Sequence, residues 1–159
     1  MRIVFLLPYL PMFRRDFLDR LRSNVEQKGD SLVCIYGVSK TTKAIVELEK
    51  NESDIRLSTN QISLGKLNFQ RIPHLINEVK KQDPDIILMH PRVAIADFYG
   101  VALLAKFRGI KLIIWDGGYQ RLDLSKSILK IKRWLMAFFY SLADVRLCYS
   151  YRQHQELIS

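Results

Sequence analysis

A chain of 159 residues can build one domain with a real core, but not two. Its 48% hydrophobic and 26% charged residues exclude a disordered or fibrous protein. No apolar run reaches the roughly 18 residues of a membrane-spanning helix, and the formal net charge of +9 points toward anionic partners.

The first element is a strand over Arg2 to Leu7, a continuous apolar run of the kind buried on both faces of a sheet. Pro8 and Pro11 interrupt the run, and no small-residue cleavage site follows. The segment therefore reads as a strand rather than a signal peptide. A helix is expected from Arg14 to Lys28, with Phe17, Leu18, Leu21 and Val25 on one face and Gly29 as its stop. Ser31 to Gly37 is a second buried strand. Thr41 to Asn51 has the pattern of a short charged helix, and Ile55 to Leu57 and Ile62 to Leu64 that of short strands.

Phe69, Ile72, Ile76 and Val79 recur at helical spacing, with Pro73 tolerable only in a first turn. Asp83-Pro84-Asp85 breaks the chain before a strand over Ile86 to Met89. Val93 to Phe107 predicts a helix buried on most sides, closed by Gly109. Lys111 to Trp115 is the next strand, and Asp116-Gly117-Gly118 forms the loop at its end. A helix over Ser125 to Leu142, a strand over Asp144 to Cys148 and a further helix from Ser150 complete the chain.

Strands alternating with helices imply an α/β, Rossmann-like fold: a parallel sheet with helices on both faces. Ligands of such sheets bind outside the carboxyl ends of the strands. That rule selects the loops Pro8 to Arg15, Gly37 to Thr42, His90 to Val93 and Asp116 to Arg121. Cys34 and Cys148 read as two buried thiols in a reducing cytoplasm, and no Cys/His cluster has metal-ligand spacing. No cofactor is implied. Six of the nine net positive charges fall in the last 58 residues, where ten basic residues face four acidic ones. A surface of that kind suits an anionic lipid or a phosphorylated substrate. Nucleic acid is not expected, because no RNA-binding motif with interleaved aromatics is present.

The order of motifs resembles the amino-terminal domain of family-4 type GT-B glycosyltransferases. The resemblance rests on DPDIILMH, then LAKFRGIKLIIWDGG, then LADVRLCYS, with Ala143, Asp144 and Ser150 matching the last piece. The opening strand followed by PYLPMFRRDFLDRL fits the family's first loop and helix, so the likeness covers nearly the whole of residues 1–159. It implies the acceptor-side half of an enzyme that moves a sugar from a nucleotide-sugar donor to a glycan or lipid-linked acceptor. No metal is implied. Some members carry Trp-Gly-His-Gly where this chain has Trp115-Asp116-Gly117-Gly118, so their histidine contact does not carry over to Gly117. The family's donor-binding domain holds two glutamates eight positions apart. No two glutamates here have that spacing, so these residues are expected to lack the donor domain. The expectation is a fragment, a truncated product or one subunit of a split transferase, inactive alone. The alternative is a non-catalytic subunit that recruits a donor-domain partner to the membrane.

The candidate substrate-binding residues lie in the selected loops. Arg14 and Arg15, at a helix amino terminus, suit a phosphate, although a solvated helix end explains them equally. His90 could orient an acceptor hydroxyl and Arg92 hold a phosphate; the alternative is a packed loop. In Trp115 to Tyr119, Asp116 can accept from a sugar hydroxyl and Trp115 or Tyr119 can stack on a pyranose. Gly117 and Gly118 there allow close backbone approach, or simply serve a turn. Asp97 is expected to answer the dipole of its helix rather than to act as a base. On the Ser125 to Leu142 helix, Ile128, Ile131, Leu135, Phe138, Phe139 and Leu142 share the core face. Lys126, Lys130 and Arg133 share the opposite face, with Trp134 between. That side is either solvated or a shallow electrostatic contact with an anionic membrane, which would make the protein peripheral at the cytoplasmic face.

Overall fold

The computed structural model describes residues 1–10, 15–38, 54–64, 67–116 and 126–148. In chain order the elements are β1 (Arg2–Leu7), α1 (Arg15–Glu26), β2 (Ser31–Val38), β3 (Ile55–Ser58), β4 (Asn60–Leu64) and β5 (Leu67–Arg71). They continue with α2 (Leu75–Gln82), β6 (Ile86–Met89), α3 (Ala96–Arg108), β7 (Lys111–Asp116), α4 (Lys126–Leu142) and β8 (Val145–Cys148). Six strands form one sheet in the order β3-β2-β1-β6-β7-β8, and every neighbouring pair is parallel. The chain winds outward from β1 to β3, returns to the centre at β6, and winds outward again to β8. This is the doubly wound, Rossmann-like arrangement, and its switch point lies between β1 and β6.

β1 shows why its sequence is apolar throughout. Val4 and Leu6 enter the core layer built by α2, α3 and α4, while Phe5 and Leu7 enter the layer under α1. All four are fully buried. A central strand covered on both faces has no position left for a polar side chain. Gly29 and Gly109 follow α1 and α3 with φ of 75° and 68°, the left-handed conformation that glycine adopts without a Cβ penalty.

The amino-terminal edge of the sheet is fastened by aspartates that each precede a strand. Asp30, before β2, accepts from the amino terminus of Met1 at 2.7 Å. Asp85, before β6, accepts from the Arg2 N–H at 2.6 Å, and Asp144, before β8, from that of Leu112 at 2.8 Å. Asp54, before β3, accepts from the Cys34 N–H at 3.3 Å. Each carboxylate engages a donor on the strand alongside, a charge-assisted bond stronger than a neutral one. Asp85 of DPDIILMH and Asp144 of LADVRLCYS therefore tie strands at the edge opposite the selected loops.

Four local expectations are corrected. Phe69 lies in a β4–β5 antiparallel hairpin, not in a helix. Pro73 disfavours the helical region at Ile72, and His74 takes φ 67°, so α2 starts only at Leu75. Phe17 is 42% exposed rather than buried with Leu18 and Val25. On α4 the residues buried against the sheet are Met136, Phe139 and Tyr140, whereas Ile131 is 53% exposed. Cys34 is buried, while Cys148 is half-buried. The helices expected at Thr41 to Asn51 and from Ser150 lie outside the described residues.

Candidate functional site

At the switch point the carboxyl ends of β1 and β6 lie side by side, flanked by the ends of β2 and β7. The His90 N–H donates to the Leu6 carbonyl at 3.0 Å, which carries the ladder one residue past β6. This fixes the half-buried His90 at the centre of the edge. Its Nδ1 lies 2.9 Å from the main-chain oxygen of Trp115, the penultimate residue of β7. Two residues on, the Arg92 guanidinium sits over the ring of Tyr9, 5.9 Å from its centroid. One short segment after β6 thus touches the chain after β1 and the end of β7.

Aromatic rings form one wall of this edge. The Trp115 ring packs on Phe5 at 5.6 Å and on Phe17 at 4.9 Å, and meets the His90 ring edge-on at 6.3 Å. Phe5 is core, so Phe17 is the ring of this group most open to solvent. Behind the edge, Gly37 admits the β1 loop closely. A Cβ there would stand 2.6 Å from Thr59 Cγ2 and 2.9 Å from the Pro8 carbonyl oxygen.

The structure brings together three of the residues expected from sequence: His90, Arg92 and Trp115. It adds two that sequence reasoning did not select. Tyr9 lies in the loop after β1, where no local pattern singles it out. Phe17 shares a helical face with Leu18, Leu21 and Val25, and helical periodicity does not distinguish a core position from one that packs on a neighbouring indole. Arg14, Gly117, Gly118 and Tyr119 lie outside the described residues. For Arg15 and Asp116 only the backbone is described: Arg15 opens α1 and Asp116 closes β7.

Asp97 has a clear structural role. It is buried, and its carboxylate accepts from the Ile72 N–H at 2.7 Å and from Arg71 at 3.0 Å. It joins the end of the hairpin to the first turn of α3. Groups with displaced titration also lie away from the crevice. Burial, and then the charge of Asp54, pushes the Cys34 thiol up to about 12. Burial pushes Tyr99 to about 12 as well. Asp54 is raised by burial, against the opposing pull of Arg22 at 2.6 Å. Among the described residues, no group of three His, Cys, Asp or Glu side chains could hold a metal ion.

Chemically, this edge offers an oriented imidazole, a guanidinium for an anion and aromatic surface for a sugar or lipid group. Searches against protein-family models and against curated proteins find no match to this chain.

Proposed function

We propose that the chain is the acceptor-binding half of a glycosyltransferase, with the nucleotide-sugar donor held by a separate domain. The observation that carries this reading is the convergence of His90, Arg92, Tyr9 and Trp115 at the switch point. Such crevices are where doubly wound sheets bind ligands. The sequence resemblance supplies the reaction class. Arg92 would hold a phosphate of a glycan or lipid-linked acceptor, and His90 would orient the hydroxyl that receives the sugar. Arg14, Arg15 and the Asp116 to Tyr119 loop belong to the same proposal.

Purified chain supplied with nucleotide sugars and an acceptor should transfer and hydrolyse nothing. Turnover above that of an Asp116→Ala control would overturn the half-enzyme reading.

A second reading, a non-catalytic subunit that recruits a donor-domain partner to the membrane, is favoured by the charge of α4. Lys130 and Arg133 are exposed, and the helix contains no acidic residue. No helix among the described residues is long and apolar enough to cross a membrane. Attachment would be peripheral, at the cytoplasmic face, through Lys126, Lys130 and Arg133.

A further inference from the structure

We infer that the outer surface of the α3–α4 layer enters an anionic lipid interface by inserting apolar side chains, rather than by charge alone. This deepens the membrane reading above and rests on it.

α4 buries Met136, Phe139 and Tyr140 against the sheet, and these fill its share of the core. Ile131 and Trp134 are left 53% and 70% exposed. Spaced three apart, they are neighbours on the helix surface. The cations Lys130 and Arg133 immediately precede them and are themselves exposed. α3 repeats the pattern. Phe107 is 85% exposed, lies between exposed Lys106 and Arg108, and shares its helix face with Leu103 at 38%. The two helices touch through the stack of Tyr99 on Phe139 at 4.3 Å and pack on the same face of the sheet. Their outward faces therefore look the same way.

Charge complementarity selects the occupant. On α4 there is no acid, and the single acid of α3, Asp97, is buried at its opposite end. Neither helix therefore presents an exposed acidic side chain to an anionic plane. Large exposed rings flanked by cations match the bilayer interface, where apolar groups sink and cations meet headgroups. A phosphate backbone would use the cations but would gain nothing from Ile131.

The test uses the full chain with vesicles of phosphatidylcholine alone or mixed with phosphatidylglycerol. The mixed vesicles should co-sediment the chain and move tryptophan emission to shorter wavelength. Trp134→Phe should assign that shift to Trp134, since Trp115 remains. Because the inserted side chains are exposed, Trp134→Ala and Phe107→Ala should leave the far-ultraviolet circular dichroism unchanged. Each should weaken vesicle binding on the order of tenfold. Binding to mixed vesicles with unshifted emission and unaffected variants would overturn insertion and leave electrostatic attachment standing. No binding to either vesicle would remove both. A dimer in vesicle-free buffer that Trp134→Ala disrupts would assign the surface to a second copy and overturn the proposal.

Discussion

The Nδ1 atom of His90 lies 2.9 Å from the main-chain oxygen of Trp115. A carbonyl only accepts, so the neutral imidazole carries its proton on Nδ1 and its lone pair on Nε2. The backbone of one strand thus sets the tautomer of a side chain presented by its neighbour. A base oriented by a third group is the arrangement that proton transfer from an acceptor hydroxyl requires.

Substitutions at His90 separate its structural and chemical roles. Asparagine keeps a donor near the Nδ1 position, and alanine does not. His90→Asn should retain most of the wild-type urea midpoint, whereas His90→Ala should lose about 1 kcal/mol. If acceptor contact runs through Nε2, both should weaken acceptor binding equally, as measured by calorimetry. Full binding by the asparagine variant would reduce His90 to a packing residue.

The Arg22–Asp54 pair is the main buried charge in the molecule's described part, with side-chain exposures of 11% and 5%. It joins α1 to the strand edge at β3 and carries one unpartnered buried atom, Arg22 Nε. Arg22→Met should destabilise the fold by about 3 kcal/mol, because it strands a buried carboxylate. Adding Asp54→Asn should recover part of that loss while still accepting from the Cys34 N–H. The pH dependence has a definite sign. Burial already raises Asp54, so its folded form prefers the proton more than its unfolded form does. The Arg22→Met variant should therefore gain stability relative to wild type as pH falls toward the ordinary carboxylate value of 3.8. A pH-independent difference in urea midpoints would contradict this.

Alkaline unfolding tests the buried thiol and phenol. Cys34 moves from 9.0 to about 12 and Tyr99 from 10.0 to about 12. The unfolded chain releases these protons first, so the stability they supply is intact below pH 9 and is lost as pH rises toward 12. Each group contributes a slope of up to about 1.4 kcal/mol per pH unit. Cys34→Ala and Tyr99→Phe should each flatten the decline seen in urea midpoints between about pH 9 and about pH 11.

The sheet was legible in the sequence because its central strands are buried on both faces. Runs such as Val4 to Leu7 admit no other arrangement once helices alternate with them. Gly29 and Gly109 were legible because a left-handed helix terminus favours glycine. Of the β4–β5 hairpin only the strand at Ile62 to Leu64 was legible, because Phe69 and Ile72 lie three apart, a helical spacing, and the decision rests with Pro73 and His74. The exposed Ile131 was missed for a related reason. Periodicity gives a helix face, but the width of the sheet beneath decides how much of that face is covered. At the crevice, the rule for strand ends found His90, Arg92 and Trp115. The pairing of Arg92 with Tyr9 and the packing of Phe17 on Trp115 depend on tertiary distances that no local pattern contains.

In the proposed function, the switch-point crevice binds a phosphate-bearing acceptor. Amide and side-chain chemical shifts of the isotopically labelled chain, titrated with a short-chain prenyl-diphosphate-linked N-acetylhexosamine, measure this. Binding there should give saturable shifts centred on Tyr9, His90, Arg92 and the Trp115 indole, and Arg92→Ala should abolish them. Shifts confined to α3 and α4, or no shifts at concentrations where the probe stays monomeric, would contradict it.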